Sequence, residues 1–298
     1  ENEYNYYKAF LPGIKLEEVN ALAAQWITKE NRVVILTAPE IEGLKVPTEA
    51  DLKAYLENAE KTPVEPYADQ VSDKPLIPSE PKAGSITSVA KVDQVDAEVW
   101  TLSNGAQVVV KSTDFKDDEV LFSAYSLGGS SLYPQKDDVS ADVASSVLSL
   151  SGLGEFDKIS LDKLLAGKAV SLSPYISDLR EGFSGGSSVK DVETLLQLVY
   201  MYFTNQRTDQ AAFNSFLTRT KGILENKKSS PEAAFQDTLQ VVSANYNIRR
   251  KPMTAEMLNE ADLSRIAQIN QDRFSDASDF KFFFVGKIDK VVLKTLVE

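Results

Sequence analysis

The stretch Val99-Trp100-Thr101-Leu102-Ser103-Asn104-Gly105-Ala106-Gln107-Val108-Val109-Val110 decides the architecture. β-Branched and aromatic residues fill both arms, the composition of half-buried strands. The Asn-Gly pair between them supplies the positive-φ residues that a tight turn requires, so the stretch reads as a β-hairpin. Downstream, Val120–Leu127 alternates Val120, Phe122 and Ala124 against Leu121, Ser123 and Tyr125, a third strand, and ends on Gly128-Gly129.

Beyond that strand the period changes from two to 3.6. From Asp138, the residues Val139, Val143, Val147 and Leu150 recur at helical spacing, with Gly152 as C-cap. A short helix is expected near Ser160, then strands at 169–173 and 180–185. Ser188 opens a long helix, Thr208-Asp209 another, and Ser230-Pro231-Glu232 a third, with proline in its tolerated first-turn place. A helix carrying Leu263, Ile266 and Ile269 then leads into Phe280-Lys281-Phe282-Phe283-Phe284-Val285, read as a buried central strand rather than an exposed aromatic platform.

The same helix-then-strand order opens the chain. Leu16, Val19, Leu22, Ala23 and Trp26 share a helical face, and Val33-Val34-Ile35-Leu36, bounded by Asn31 and Pro39, reads as a buried strand. Thr48 caps a further helix running to about Glu60. Between the two halves Pro63, Pro66, Pro75, Pro78 and Pro81 mark a semi-rigid spacer. Residues 1–61 are therefore expected to be the C-terminal part of one α+β repeat, 62–85 a linker, and 86–298 a second repeat. Each repeat is expected to hold a mainly antiparallel or mixed sheet covered by helices on one face.

Composition narrows the chemistry. The 298 residues include neither histidine nor cysteine. That removes disulfides, thiolate nucleophiles and the usual serine-hydrolase base. A net charge of −12 argues against a nucleic-acid partner, because that affinity rests on neutralising phosphate. No stretch approaches the roughly 20 apolar residues of a membrane span. Glu1-Asn2-Glu3-Tyr4 has no initiator methionine and Val297-Glu298 lies in a helical pattern, so the sequence is expected to be a piece of a longer chain.

Four segments, in order, resemble the repeats of the pitrilysin/insulinase-type (inverzincin) metallopeptidases. Leu102-Ser103-Asn104-Gly105-Ala106-Gln107-Val108 is similar to their L-x-N-G-x-x-V hairpin, and Gly128-Gly129-Ser130 to the G-S that follows. Pro12-Gly13-Ile14 through Asn31-Arg32-Val33-Val34, and Phe283-Phe284-Val285-Gly286-Lys287-Ile288-Asp289, resemble the segments that close a repeat. Active repeats of the family carry H-x-x-E-H on the next helix. Aligned on Gly152, those positions are Val143, Ser146 and Val147, none able to bind zinc or accept a proton. Glu225, near the place of a third ligand, has no partner ligands and reads as a helix-surface charge.

The resemblance implies an inactive repeat with no catalytic, cofactor-binding or metal residue of its own. Zinc would sit in an upstream domain of the parent chain. The implied role is a non-catalytic segment of a zinc endopeptidase, sharing a peptide substrate with that catalytic half, in the periplasm or otherwise exported. The alternative is a binding or assembly protein that has kept a peptidase fold without activity. The remaining polar clusters have structural readings: Arg180–Ser187 with Ser188 as strand-to-helix punctuation, Asp117-Asp118 as a loop without acid–base partners, Arg249-Arg250-Lys251 as a solvated loop.

Overall fold

The computed structural model describes residues 2–38, 43–65 and 74–298. Pro39 and residues 66–73 of the expected linker, Pro66 among them, lie outside the described residues. The chain divides into two units, Glu1–Ala68 and Asp69–Glu298.

The first unit contains helices α1 (Asn2–Phe10), α2 (Leu16–Trp26) and α3 (Glu49–Lys61). Thr48 caps α3 as its sequence directs. Its Oγ1 accepts from Asp51 N at 3.2 Å, and the Asp51 carboxylate accepts from Thr48 N at 2.8 Å. None of these helices has a buried residue. Residues 33–36, expected as a buried strand, form no strand, with Val33 81% and Ile35 83% exposed. Strand geometry is completed by a neighbour, and the described part of this unit contains no other strand to pair with.

The second unit opens with β1 (Ile86–Val92), β2 (Ala97–Leu102), β3 (Gln107–Ser112) and β4 (Val120–Leu127). Then come α4 (Asp138–Ser151), α5 (Lys158–Leu164), β5 (Val170–Ile176) and β6 (Arg180–Ser187). Helices α6 (Val192–Thr204), α7 (Gln210–Lys227), α8 (Pro231–Ser243) and α9 (Leu263–Phe274) precede β7 (Lys281–Gly286) and α10 (Lys290–Val297). The seven strands form one sheet in the order β1-β2-β3-β7-β4-β6-β5. All neighbours are antiparallel except β3 and β7, which run parallel. This is the mainly antiparallel α+β sheet that the alternation of strand and helix patterns implies.

One sheet face is core. Along β4, Val120, Phe122 and Ala124 are at most 3% exposed, while Leu121 and Leu127 on the other face are 55% and 72% exposed. Phe280, Phe282 and Phe284 come from the central strand and its approach, where Phe183 on β6 and Phe203 on α6 join them in a cluster of ring contacts. Leu76, inside the expected linker, is buried in this same core.

Two glycine positions are fixed by backbone geometry. Gly129 has φ +76°, and a Cβ there would lie 2.3 Å from Ser177 O. Gly152 ends α4 at φ +82°, where a Cβ would lie 2.1 Å from Phe156 O. The left-handed strain and the clash add, so Gly152→Ala is expected to cost about 3 kcal/mol or more. Urea denaturation should show a lower midpoint with an unchanged slope.

Candidate functional site

The helix that the resemblance places at the position of the zinc helix is α4. Acidic Asp138 sits in its first turn, favourable against the helix dipole, and Gly152 closes it. Its buried face comprises Val139, Ser140, Ala141, Val143, Ala144, Val147, Leu148 and Ser151. Val143 and Val147 are 7% and 2% exposed and belong to one cluster with Phe213 and Phe216 of α7 and Ile266 and Ile269 of α9. Ser146 lies on the exposed side. Val143 and Val147 thus end in an apolar plug.

The same packing shows which side of α7 faces α4. Phe213 and Phe216 lie on that side, whereas Glu225 follows Phe216 by nine residues, about two and a half turns, and is exposed. Glu225 therefore points away from Val143 and Val147. Among the described residues, no group of three or more His, Cys, Asp or Glu side chains is arranged to hold a metal. Zinc does not fit this face of α4: it offers methyl groups and phenyl rings where a cation needs nitrogen, sulfur or oxygen donors.

The polar clusters have acquired structural partners. Asp118, read as a loop residue without an acid–base partner, accepts from the backbone Val189 N at 3.0 Å, at the turn that leads into α6. Asp117 faces Lys287 at 3.9 Å. The loop at 249–251 is exposed, as a solvated loop would be, but its arginines are also paired. Arg249 donates to Asp138 Oδ1 and to Tyr133 O, each at 2.7 Å, and Arg250 pairs with Asp178. Arg249 ties the loop after α8 to the start of α4, and Arg250 ties it to the turn between β5 and β6.

A second polar network escaped sequence reasoning. Glu181, 3% exposed, accepts from Gly129 N at 2.6 Å and faces Arg273 at 3.4 Å. Arg273 Nε donates to Tyr133 Oη at 2.9 Å, and Tyr133 in turn donates to Asp272 at 2.8 Å. Burial pushes the Glu181 carboxyl up from its ordinary value. Burial, then the bond to Asp272, pushes the Tyr133 phenol up to about 12. The phenol stays protonated as a donor, so the network holds the Gly128-Gly129 turn rather than moving protons. A Cβ on Gly128 would meet Arg273 Nη1 at 2.5 Å. Its members lie between residues 128 and 273, so no local spacing announces them. The one signal available was the glycine pair itself.

An apolar cavity of about 350 Å³ opens between α6, α10 and strands β3 and β7, lined by Leu102, Val108, Leu196, Phe203, Phe282 and Val297 among others. It offers no charged side chain and hence no acid–base chemistry.

Comparison with known proteins places this geometry. No family model matches the chain. The chain is 25% identical over 239 residues to a protein named zinc protease PQQL-like from Arabidopsis thaliana, covering 80% of this chain and 22% of that one. It is 24% identical over 302 residues to a probable zinc protease PqqL from Haemophilus influenzae, covering 100% of this chain and 32% of that one. The chain thus spans about a third or less of the length of the curated relatives it matches. The periplasmic protease PqqL from Escherichia coli has a similar fold, with a TM-score of 0.65, 20% identity, and coverage of 84% of this chain and 28% of that one. A peptidase M16 inactive domain from Pseudomonas fluorescens aligns with a TM-score of 0.55 at 13% identity, over 67% of this chain and 49% of that one.

The plug makes a quantitative prediction. Phe216→Ala should cost about 3–5 kcal/mol in a denaturant titration, as for other buried phenylalanines. Val143→His with Val147→His should destabilise the chain by several kcal/mol, about the cost of burying unpaired polar groups, and calorimetry should detect no tight zinc binding. In sequence the chain is thus similar to part of proteins named zinc proteases, and in fold to a periplasmic protease and a peptidase M16 inactive domain.

Proposed function

We propose that this chain is a non-catalytic segment of a zinc-dependent endopeptidase, supplying peptide-chamber surface and closure to a catalytic half that lies upstream in the parent chain. The observation that carries the reading is the burial of Val143 and Val147 against Phe213 and Phe216. A repeat that still served catalysis would keep that face open to metal and water. Here it is invested in stability, while the surrounding fold is retained.

On this reading residues 1–61 are the end of a preceding repeat, 62–85 the inter-half linker, and 86–298 the degenerate repeat. The order α2 followed by 33–36 parallels α9 followed by β7, which supports the first assignment. So does the exposure of Leu16, Val19, Trp26 and Ile35, apolar residues that need a core. The chain itself contributes no catalytic, cofactor or metal residue, and zinc belongs to the upstream domain. A peptide shared between the halves is the partner. The net charge of −12 disfavours nucleic acid. Among the described residues, no helix is long and apolar enough to cross a membrane. A periplasmic or otherwise exported location is supported by the periplasmic protease of similar fold.

The test compares the chain with its parent. The purified 298-residue chain should hydrolyse no peptide, with or without added zinc. The parent should carry H-x-x-E-H upstream and cleave peptides in a reaction abolished by a chelator. Chelator-sensitive cleavage by the chain alone would overturn the proposal. A parent without the motif would favour the assembly-protein reading instead.

A further inference from the structure

A small cavity of about 10 Å³ lies where the last turn of α4, the connection from α6 to α7, and α9 meet. Ser151, Arg207 and Asn270 stand on its wall among Val147, Leu148 and Ile266. Asn270 is 3% exposed. Its Nδ2 donates to Ala144 O at 2.9 Å, which ties α9 to α4, while its Oδ1 is buried and has no protein partner. Arg207 Nε is likewise buried without one, although the same guanidinium donates through Nη2 to Asp209 at 3.0 Å. Residues bearing a buried acceptor and a buried donor thus line one cavity, and a buried polar atom left without a partner is costly.

We propose that this cavity is a specific binding site for a single water molecule, which accepts from Arg207 Nε and donates to Asn270 Oδ1. The volume is about that of one water centre, too little for an organic group. The chemistry excludes the simple ions. Chloride would accept from Arg207 but has no proton for Asn270. A metal or ammonium cation would suit the Asn270 oxygen but meets the guanidinium charge beside it. Water alone both donates and accepts. Ser151 Oγ, which donates to Val147 O at 2.8 Å and accepts from Asp209 N at 3.3 Å, keeps a lone pair for the second proton. Three partners are the usual complement of a structural buried water.

The bound water makes the junction of three segments continuous. Asp209 caps α7 by accepting from Ala212 N at 2.9 Å, and Gln206 Nε2 donates to Asn270 O at 3.2 Å. Through the water, α9, the α7 cap and the C-terminal turn of α4 share one hydrogen-bonded node. Its role is positional, and it does not depend on the peptidase reading.

A high-resolution crystal structure of the chain should show one ordered density peak about 3 Å from both Asn270 Oδ1 and Arg207 Nε. Magnetic relaxation dispersion of water nuclei should count one long-lived water fewer in Arg207→Met, which keeps the apolar stem and removes the donor. Absence of that peak, an Asn270 amide turned so that protein groups satisfy both its ends, or an unchanged count in a folded Arg207→Met would overturn the proposal. Should the variant fail to fold, the wild-type density decides alone.

Discussion

β3 and β4 are consecutive in sequence, yet they are not neighbours in the sheet, because β7 lies between them. Phe282 pairs with Val108 of β3 on one side and with Ala124 of β4 on the other. Among the described strands, the halves β1-β2-β3 and β4-β6-β5 are joined through β7 alone. Everything else in the second unit depends on that insertion. The strand arrives late in the chain, so the loop-closure entropy must be met by dense burial once it docks. Phe280, Phe282 and Phe284 supply it, each at most 8% exposed. α9, immediately before β7, carries Ile266 and Ile269 against α4 in the same movement of the chain. One segment therefore completes the sheet and fixes the helix layer above it.

That dependence bears on the buried face of α4. With α9 and α7 both pressed against α4, positions 143 and 147 have only two stable uses. They can hold imidazoles around a metal, with ordered water and a carboxylate, or they can be apolar and packed. A buried valine side chain contributes about 1.5–3 kcal/mol relative to exposure. An imidazole in the same place without metal would be a buried polar group lacking partners. With valine at both positions the packing solution is the one adopted, and Phe213 and Phe216 complete it from α7.

What the sequence disclosed follows the range of the forces involved. The Asn-Gly hairpin, the alternation of β4, α4 with its Gly152 cap, and the Ser230-Pro231 helix start are local, set by neighbours within a few residues, and they were legible. β1 was not, because Ile86–Val92 follows a proline-rich stretch and its side chains are largely exposed, so no burial pattern marks it. α1, with three tyrosines on an exposed helix, was missed for the same reason. Of the candidate site, the apolar face of α4 at Val143 and Val147 was legible from its helical spacing. The Tyr133–Asp272–Arg273–Glu181 network was not, since its members come from separate elements and meet only after β7 is in place. Arg249 and Arg250 looked like solvated charge because their partners, Asp138 and Asp178, are remote in sequence.

The first unit shows the same constraint from the opposite side. Its α2 carries Leu16, Val19 and Trp26, 70%, 50% and 75% exposed, whereas α9 carries Ile266 and Ile269, at most 1% exposed. Residues 33–36 follow α2 as β7 follows α9, but the described part of their own unit holds no strand for them to pair with. A strand that closes a sheet cannot be stable without the sheet it closes, whatever its own β-propensity. On the proposed reading, this explains why Val33-Val34-Ile35-Leu36, as apolar as any strand in the chain, stays unpaired while Phe280–Val285 sits at the centre of its sheet. On that reading the difference lies in the strands available to receive each segment.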